Sequence, residues 1–118
     1  MNSIKFFAVA LMAMLSTAVL AQDKTVTFKV SGNCSMCKKT IETAGKTAGV
    51  SALTWDTKTK IAKASFDPSK ITADSIQKRI AASGYDTERF AAGNSAYDNL
   101  PSCCQYDRKL IPAPAKKH

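Results

Sequence analysis

The four cysteines of this chain stand in two close pairs, Cys34 with Cys37 and Cys103 with Cys104. The first pair lies in Gly32-Asn33-Cys34-Ser35-Met36-Cys37-Lys38-Lys39, where a strand pattern stops and a helix pattern begins. Two thiols at that spacing at a helix N-terminus can hold a soft metal ion or form a redox-active disulfide. Thiolates are soft donors, and Cu(I), Hg(II) and similar ions accept two or three of them. The helix dipole and the cations Lys38 and Lys39 are expected to lower the thiol pKa values and favour thiolate near neutral pH. Met36 places a thioether between the two thiols, although a flexible apolar residue more commonly serves packing or surface.

The elements that must position these thiols are legible from periodicity. Thr25 to Ser31 alternates, with Val26, Phe28 and Val30 on one face, as in a half-buried strand that Gly32-Asn33 breaks. From Met36 to about Ala48 the residues Cys37, Ile41, Ala44 and Ala48 recur at helical spacing, and Gly49 ends the run. Leu53 and Trp55, a turn at Lys58-Thr59, then Ala62, Ala64 and Phe66 up to Asp67-Pro68 read as a hairpin. Thr72 is a predicted N-cap with Asp74 in the first turn, Ala73, Ile76 and Ile80 form the stripe, and Gly84 closes the helix. Tyr85 to Phe90 reads as a short last strand. The order βαββαβ predicts an α+β, ferredoxin-like sandwich: a four-stranded antiparallel sheet with two helices on one face. The expected core is Val26, Phe28, Val30, Ile41, Leu53, Trp55, Phe66, Ile76 and Ile80, with Trp55 as a packing residue.

Met1 to Ala21 has one early cation, Lys5, an apolar run from Phe6 to Leu15, and small residues before Ala21. That is the layout of a secretory signal peptide cleaved after Ala21, and the run is short of the roughly 20 residues a membrane span needs. The residue directly after the cleavage point is Gln22 and not a cysteine, which argues against a lipoprotein anchor. The expected organisation is residues 1–21 as signal peptide, 22–90 as one small domain and 91–118 as a cysteine-containing tail. A periplasmic or secreted location follows, with no stable membrane insertion after cleavage, and it makes nucleic acid a poor partner. The formal charge of +8 comes from scattered lysines and arginines and reads as a solvated basic surface. Outside the cytoplasm disulfides persist, so each thiol can be oxidised unless a metal or a reductase protects it.

Val30-Ser31-Gly32-Asn33-Cys34-Ser35-Met36-Cys37, followed by Gly49-Val50, Phe66-Asp67-Pro68 and Gly84-Tyr85-Asp86, resembles the heavy-metal-associated domain over roughly Thr25 to Phe90. That family includes copper chaperones, the N-terminal modules of metal-exporting P-type ATPases and the periplasmic mercury-binding protein. The resemblance implies that Cys34 and Cys37 bind Cu(I) or another thiophilic ion in near-linear geometry. It also implies that Tyr85 occupies the loop position that tunes the site. The expected cargo is Cu(I), with Hg(II), Zn(II), Ag(I) and Cd(II) as alternatives. The expected partner is a P-type ATPase or another cysteine-bearing metal acceptor. Two departures stand out. Gly32-Asn33-Cys34 is one residue shorter than the family's Gly-Met-x-Cys, and its Met is absent.

The other departure is the tail, whose proline-rich sequence lacks helix or strand periodicity and is expected to be irregular. Its stretch Tyr97 to Tyr106 is nonetheless apolar enough to dock on the domain, and Cys103 or Cys104 could then supply a third or fourth thiolate. Alternatively a tail cysteine bonds Cys34 or Cys37, or the tail pair links to a second chain; a metal-bridged or disulfide-linked dimer is compatible with these thiols. His118, alone at the C-terminus, reads as a free end rather than a ligand. Three function classes follow: a non-catalytic metal carrier, chaperone or scavenger, which the residues favour; a thiol–disulfide redox protein; and an adaptor whose cysteines only staple the tail. Hydrolytic chemistry is excluded, because the nine acidic residues form no convincing pair and a Cys-His arrangement would need His118.

Overall fold

A computed structural model describes residues 22–109, so the signal-peptide reading of 1–21 and the reading of His118 lie outside the described residues. The elements are β1 (Lys24–Lys29), α1 (Ser35–Gly45), β2 (Val50–Trp55), β3 (Ile61–Phe66), α2 (Ala73–Ala82) and α3 (Asn94–Asp98), followed by a 3-10 turn at Ser102–Cys104. The strands form an antiparallel sheet in the order β1-β3-β2. Its central strand is lined with small residues. Ala62 faces Phe28 and Trp55, and Ala64 faces Val26 and Leu53, so the large side chains of both neighbours share the space above two buried alanines. The hairpin turns at Asp56, whose carboxylate accepts from the Lys58 and Thr59 N–H groups at 2.7 and 3.0 Å.

The expected core is present, with Val26 only partly covered at the rim. Helix α2 begins as predicted, with the Thr72 hydroxyl accepting from the Ser75 N–H at 3.1 Å. Helix α1 ends earlier than the periodicity indicates, at Gly45 rather than near Ala48, which is exposed. Gly45 is buried against the sheet, where an added Cβ would overlap Leu53 and stand 3.0 Å from the Ile80 side chain. The chain must then turn into β2, and it does so through the Thr47 N–H to Gly45 carbonyl bond and a left-handed Gly49, φ +95°.

The sheet has three strands, not the four expected. Tyr85 to Phe90 does run beside the end of β1, with one antiparallel bridge between Val30 and Thr87 and bonds from the Ser31 N–H to the Asp86 carbonyl and from the Glu88 N–H to the Lys29 carbonyl, both 2.9 Å. It extends no further for two reasons. The Thr87 N–H turns back to the Phe90 carbonyl at 2.8 Å, and the Asp86 N–H is taken by the Tyr106 hydroxyl at 2.6 Å. The competitor for the edge is therefore the tail.

That tail departs from the irregular expectation over its described part, because α3 and the 3-10 turn fold it back onto the domain. Asp86, completely buried, carries the attachment. Its carboxylate accepts from the Ala92 N–H at 2.7 Å and from the Arg108 guanidinium at 2.6 and 3.0 Å. Arg108 also reaches the Asn94 side chain and the Ala92 carbonyl and lies over the Tyr97 ring at 4.9 Å. The Tyr106 hydroxyl donates to the Gly84 carbonyl at 2.8 Å while accepting from Asp86, and the Tyr106 ring meets those of Tyr85 and Tyr97. Tyr106→Phe leaves the buried Asp86 N–H without its acceptor, and its expected cost is about 1–3 kcal/mol. Denaturant unfolding should register that loss, with faster amide exchange in 97–106; an unchanged midpoint would mean that the tail is not held this way.

Candidate metal centre

The loop before α1 is shaped from below by Trp55. The Trp55 indole N–H donates to the Val30 carbonyl at 3.0 Å, and Gly32 lies on its ring, where a Cβ would come within 2.9 Å of the indole. Trp55 is thus a packing residue, as expected, whose packing fixes the height of the cysteine loop. The Ser31 N–H is held by the Asp86 carbonyl, so the loop leaves the sheet at a defined point.

Cys34 is the N-cap residue of α1 in extended conformation, and its carbonyl accepts from the Lys38 N–H at 3.0 Å. The Cys37 and Met36 N–H groups, in that order, stabilise its thiolate and lower its pKa; the Cys103 thiol and the charge of Lys60 act in the same direction, against some desolvation. The cation concerned is Lys60, and neither Lys38 nor Lys39 contributes as the sequence suggested. The ammonium of Lys38 is occupied by Glu42 at 2.7 Å and the Trp55 carbonyl at 3.0 Å.

Cys37, one turn into the helix, is fully buried and joined to Cys104 by a disulfide across 67 residues. Cys34 keeps a free thiol, its sulfur 3.7 Å from that of Cys37. The sulfurs of Cys34, Cys37 and Cys104 all lie within 4.8 Å of one another. Cys103 is exposed and free. Its sulfur is 3.8 Å from Met36 Sδ, and the Asn33 side chain donates to its carbonyl at 3.2 Å. Desolvation first, and then the neighbouring Cys34 thiol and its charge, push the Cys103 pKa up. Tyr85 is completely buried, in the same core cluster as Cys37 and Cys104. Desolvation raises its pKa, the Thr40 hydroxyl opposes the rise, and negative charge on Cys34 and Cys103 adds to it.

All six residues singled out from the sequence therefore converge. Met36 is the exposed large apolar side chain among the described residues, at 54% exposure, so it belongs to the sulfur-lined surface and not to the core. Sequence reasoning missed Asn33, which ties loop to tail, and the Asp86–Arg108 pair, which ties tail to domain. The available signal was two tyrosines, Tyr97 and Tyr106, flanking the second cysteine pair.

Alkylation tests the electrostatics. Because the Cys34 pKa lies below the usual thiol value and that of Cys103 above it, Cys34 is reactive at lower pH. Iodoacetamide labelling near pH 7, mapped by peptide mass, should modify Cys34 ahead of the more exposed Cys103; the opposite order would refute the assignment.

No protein-family model and no curated protein matches the chain. Solved structures do. Oxidized MerP from Ralstonia metallidurans CH34 is 34% identical over 55% of this chain and 93% of its own, with a TM-score of 0.52. The water-soluble region of the P-type ATPase CopA from Bacillus subtilis is 27% identical over 61% of this chain and 49% of its own, with a TM-score of 0.56. The CopZ metallochaperone, 24% identical over 54% of this chain and 98% of its own at a TM-score of 0.52, shares the fold. With the βαββα order, the cysteine loop at the head of α1 and these likenesses, the chain belongs to the heavy-metal-associated domain family.

Proposed function

We propose that this protein is an exported carrier of a soft metal ion, Cu(I) foremost, with Cys34 and Cys37 as ligands and Cys104 of the tail as a third thiolate. The observation that supports it is the convergence of three cysteine sulfurs within 4.8 Å on the loop that heads α1. Such a set suits an ion of low coordination number, Cu(I), Ag(I) or Hg(II), better than tetrahedral Zn(II) or Cd(II), which would need Cys103 as well.

In the disulfide form Cys37 and Cys104 have no thiolate to offer. Two-electron reduction by a dithiol donor opens the bond, the donor leaving as its own disulfide. Cys104 then stays beside Cys37, because Tyr106 and the Asp86–Arg108 pair hold the tail without the covalent link. Transfer proceeds by ligand exchange: a partner thiolate joins the ion, a protein thiolate leaves, and no electron moves. A P-type ATPase module or another cysteine-bearing acceptor fits this step. Lys39 and Lys46 line a groove along α1 with Lys38, Glu42 and Leu53, so an acidic face on the partner would be drawn to it.

A second reading has one observation in its favour. The free Cys34 sulfur stands 3.7 Å from a disulfide-bonded Cys37, as a thiol–disulfide exchanger requires. Insulin-disulfide reduction at a rate comparable with that of a dedicated dithiol reductant would favour it.

Anaerobic Cu(I) titration of the fully reduced protein against a chromophoric chelator, read by native mass spectrometry, tests the carrier reading. One tightly bound ion is expected, abolished in Cys34→Ser and Cys37→Ser. Cys104→Ser should weaken binding by about tenfold or more, since even outer-shell partners count on that scale. Binding that is indifferent to Cys34 and Cys37 would overturn the proposal.

A further inference from the structure

The disulfide that silences Cys37 and Cys104 leaves three other sulfur atoms together on the surface. Cys34 and Cys103 are both free thiols, one on the loop and the other on the tail that is bonded to the loop's neighbour Cys37, and Met36 Sδ is 3.8 Å from Cys103 Sγ. Loop and tail are held in this relation twice over, by the Asn33 side chain on the Cys103 carbonyl and by the neighbouring Cys37–Cys104 bond itself. Cys103 and Met36 are exposed and Cys34 is half-buried, so an ion can arrive from solvent without opening the core. Met36 offers no packing reason for its place, because it is the large apolar side chain that the described fold leaves exposed. Two thiolates and a thioether form a donor set suited to a monovalent soft ion.

We propose that Cys34, Cys103 and Met36 form a second soft-metal site, facing solvent, that works while the Cys37–Cys104 disulfide is intact. Its ligand class is a single monovalent thiophilic cation, Cu(I) or Ag(I). It shares Cys34 with the carrier site but not that site's redox state: the carrier needs the disulfide reduced, and this site works with it closed. An exported protein would then keep metal affinity after oxidation, with the ion at the surface and open to an acceptor. Binding replaces two thiol protons by the cation; no electron is transferred.

The probe is Ag(I), which does not require a reducing atmosphere. Protein whose Cys37–Cys104 bond has been verified by peptide mapping is titrated with Ag(I) and followed by native mass spectrometry, and the bond is mapped again afterwards. One bound ion with the disulfide unchanged is expected. Cys103→Ser should abolish binding, and Met36→Leu, which keeps the size, should weaken it by about tenfold. Circular dichroism of both variants should match the parent, since neither side chain is in the core. No binding to the disulfide form would overturn the proposal while leaving the reduced carrier site untouched. So would binding indifferent to Cys103 and Met36, or a disulfide lost as silver binds.

Discussion

A buried carboxylate organises this protein. Asp86 has no exposure to solvent, and an isolated charge in such a place is costly unless it is paired and fully hydrogen-bonded. Its partners, the Ala92 N–H and the Arg108 guanidinium, both come from the chain that follows the domain. The domain therefore cannot leave its tail undocked without stranding or rehydrating Asp86. Once the tail is drawn in, Tyr106 fills the space beside Tyr85 and takes the Asp86 N–H, and the only cysteines of the described tail arrive at the loop. The same interaction explains why the last strand is reduced to one bridge: its outer hydrogen-bonding partner is a side chain.

On the opposite side the cysteine loop is held by bulk. Trp55 pins the Val30 carbonyl and supports Gly32, while Glu42 ties its own carboxylate to the Trp55 N–H at 2.8 Å and to Lys38. Helix α1, strand β2 and the loop are thus tied together through Trp55. A thiol at the N-cap of such a helix is biased towards thiolate first by backbone N–H groups, and the charge of Lys60 adds less.

Five sulfur atoms lie close together here, two of them buried, so the redox state of the cysteines decides how many thiols the cluster can offer. A bond between Cys37 and Cys104 removes two thiolates and leaves two, while reduction restores all four around a tail that is already in place. Here the buried cysteine is bonded to the tail and the N-cap cysteine stays free.

Much of this was written in the sequence. Val26, Phe28 and Val30 alternating into Gly32, the stripe Ile76–Ile80 behind a Thr72 cap, and small residues at Ala62 and Ala64 are local patterns, and local sterics and burial decide them. The Cys34/Cys37 spacing and its place at a helix head were equally legible. The early end of α1 was not, because Gly45 is fixed by Leu53 and Ile80 from other elements, and no period in its own neighbourhood carries that fact. The pairing of Cys37 with Cys104, the rank of Lys60 over Lys38 near Cys34, and the meeting of Met36 with Cys103 all span tens of residues. Sequence determined which donors exist; only tertiary structure decided which of them face one another, because the contact that brings them together is a buried ion pair between Asp86 and Arg108, 22 residues apart.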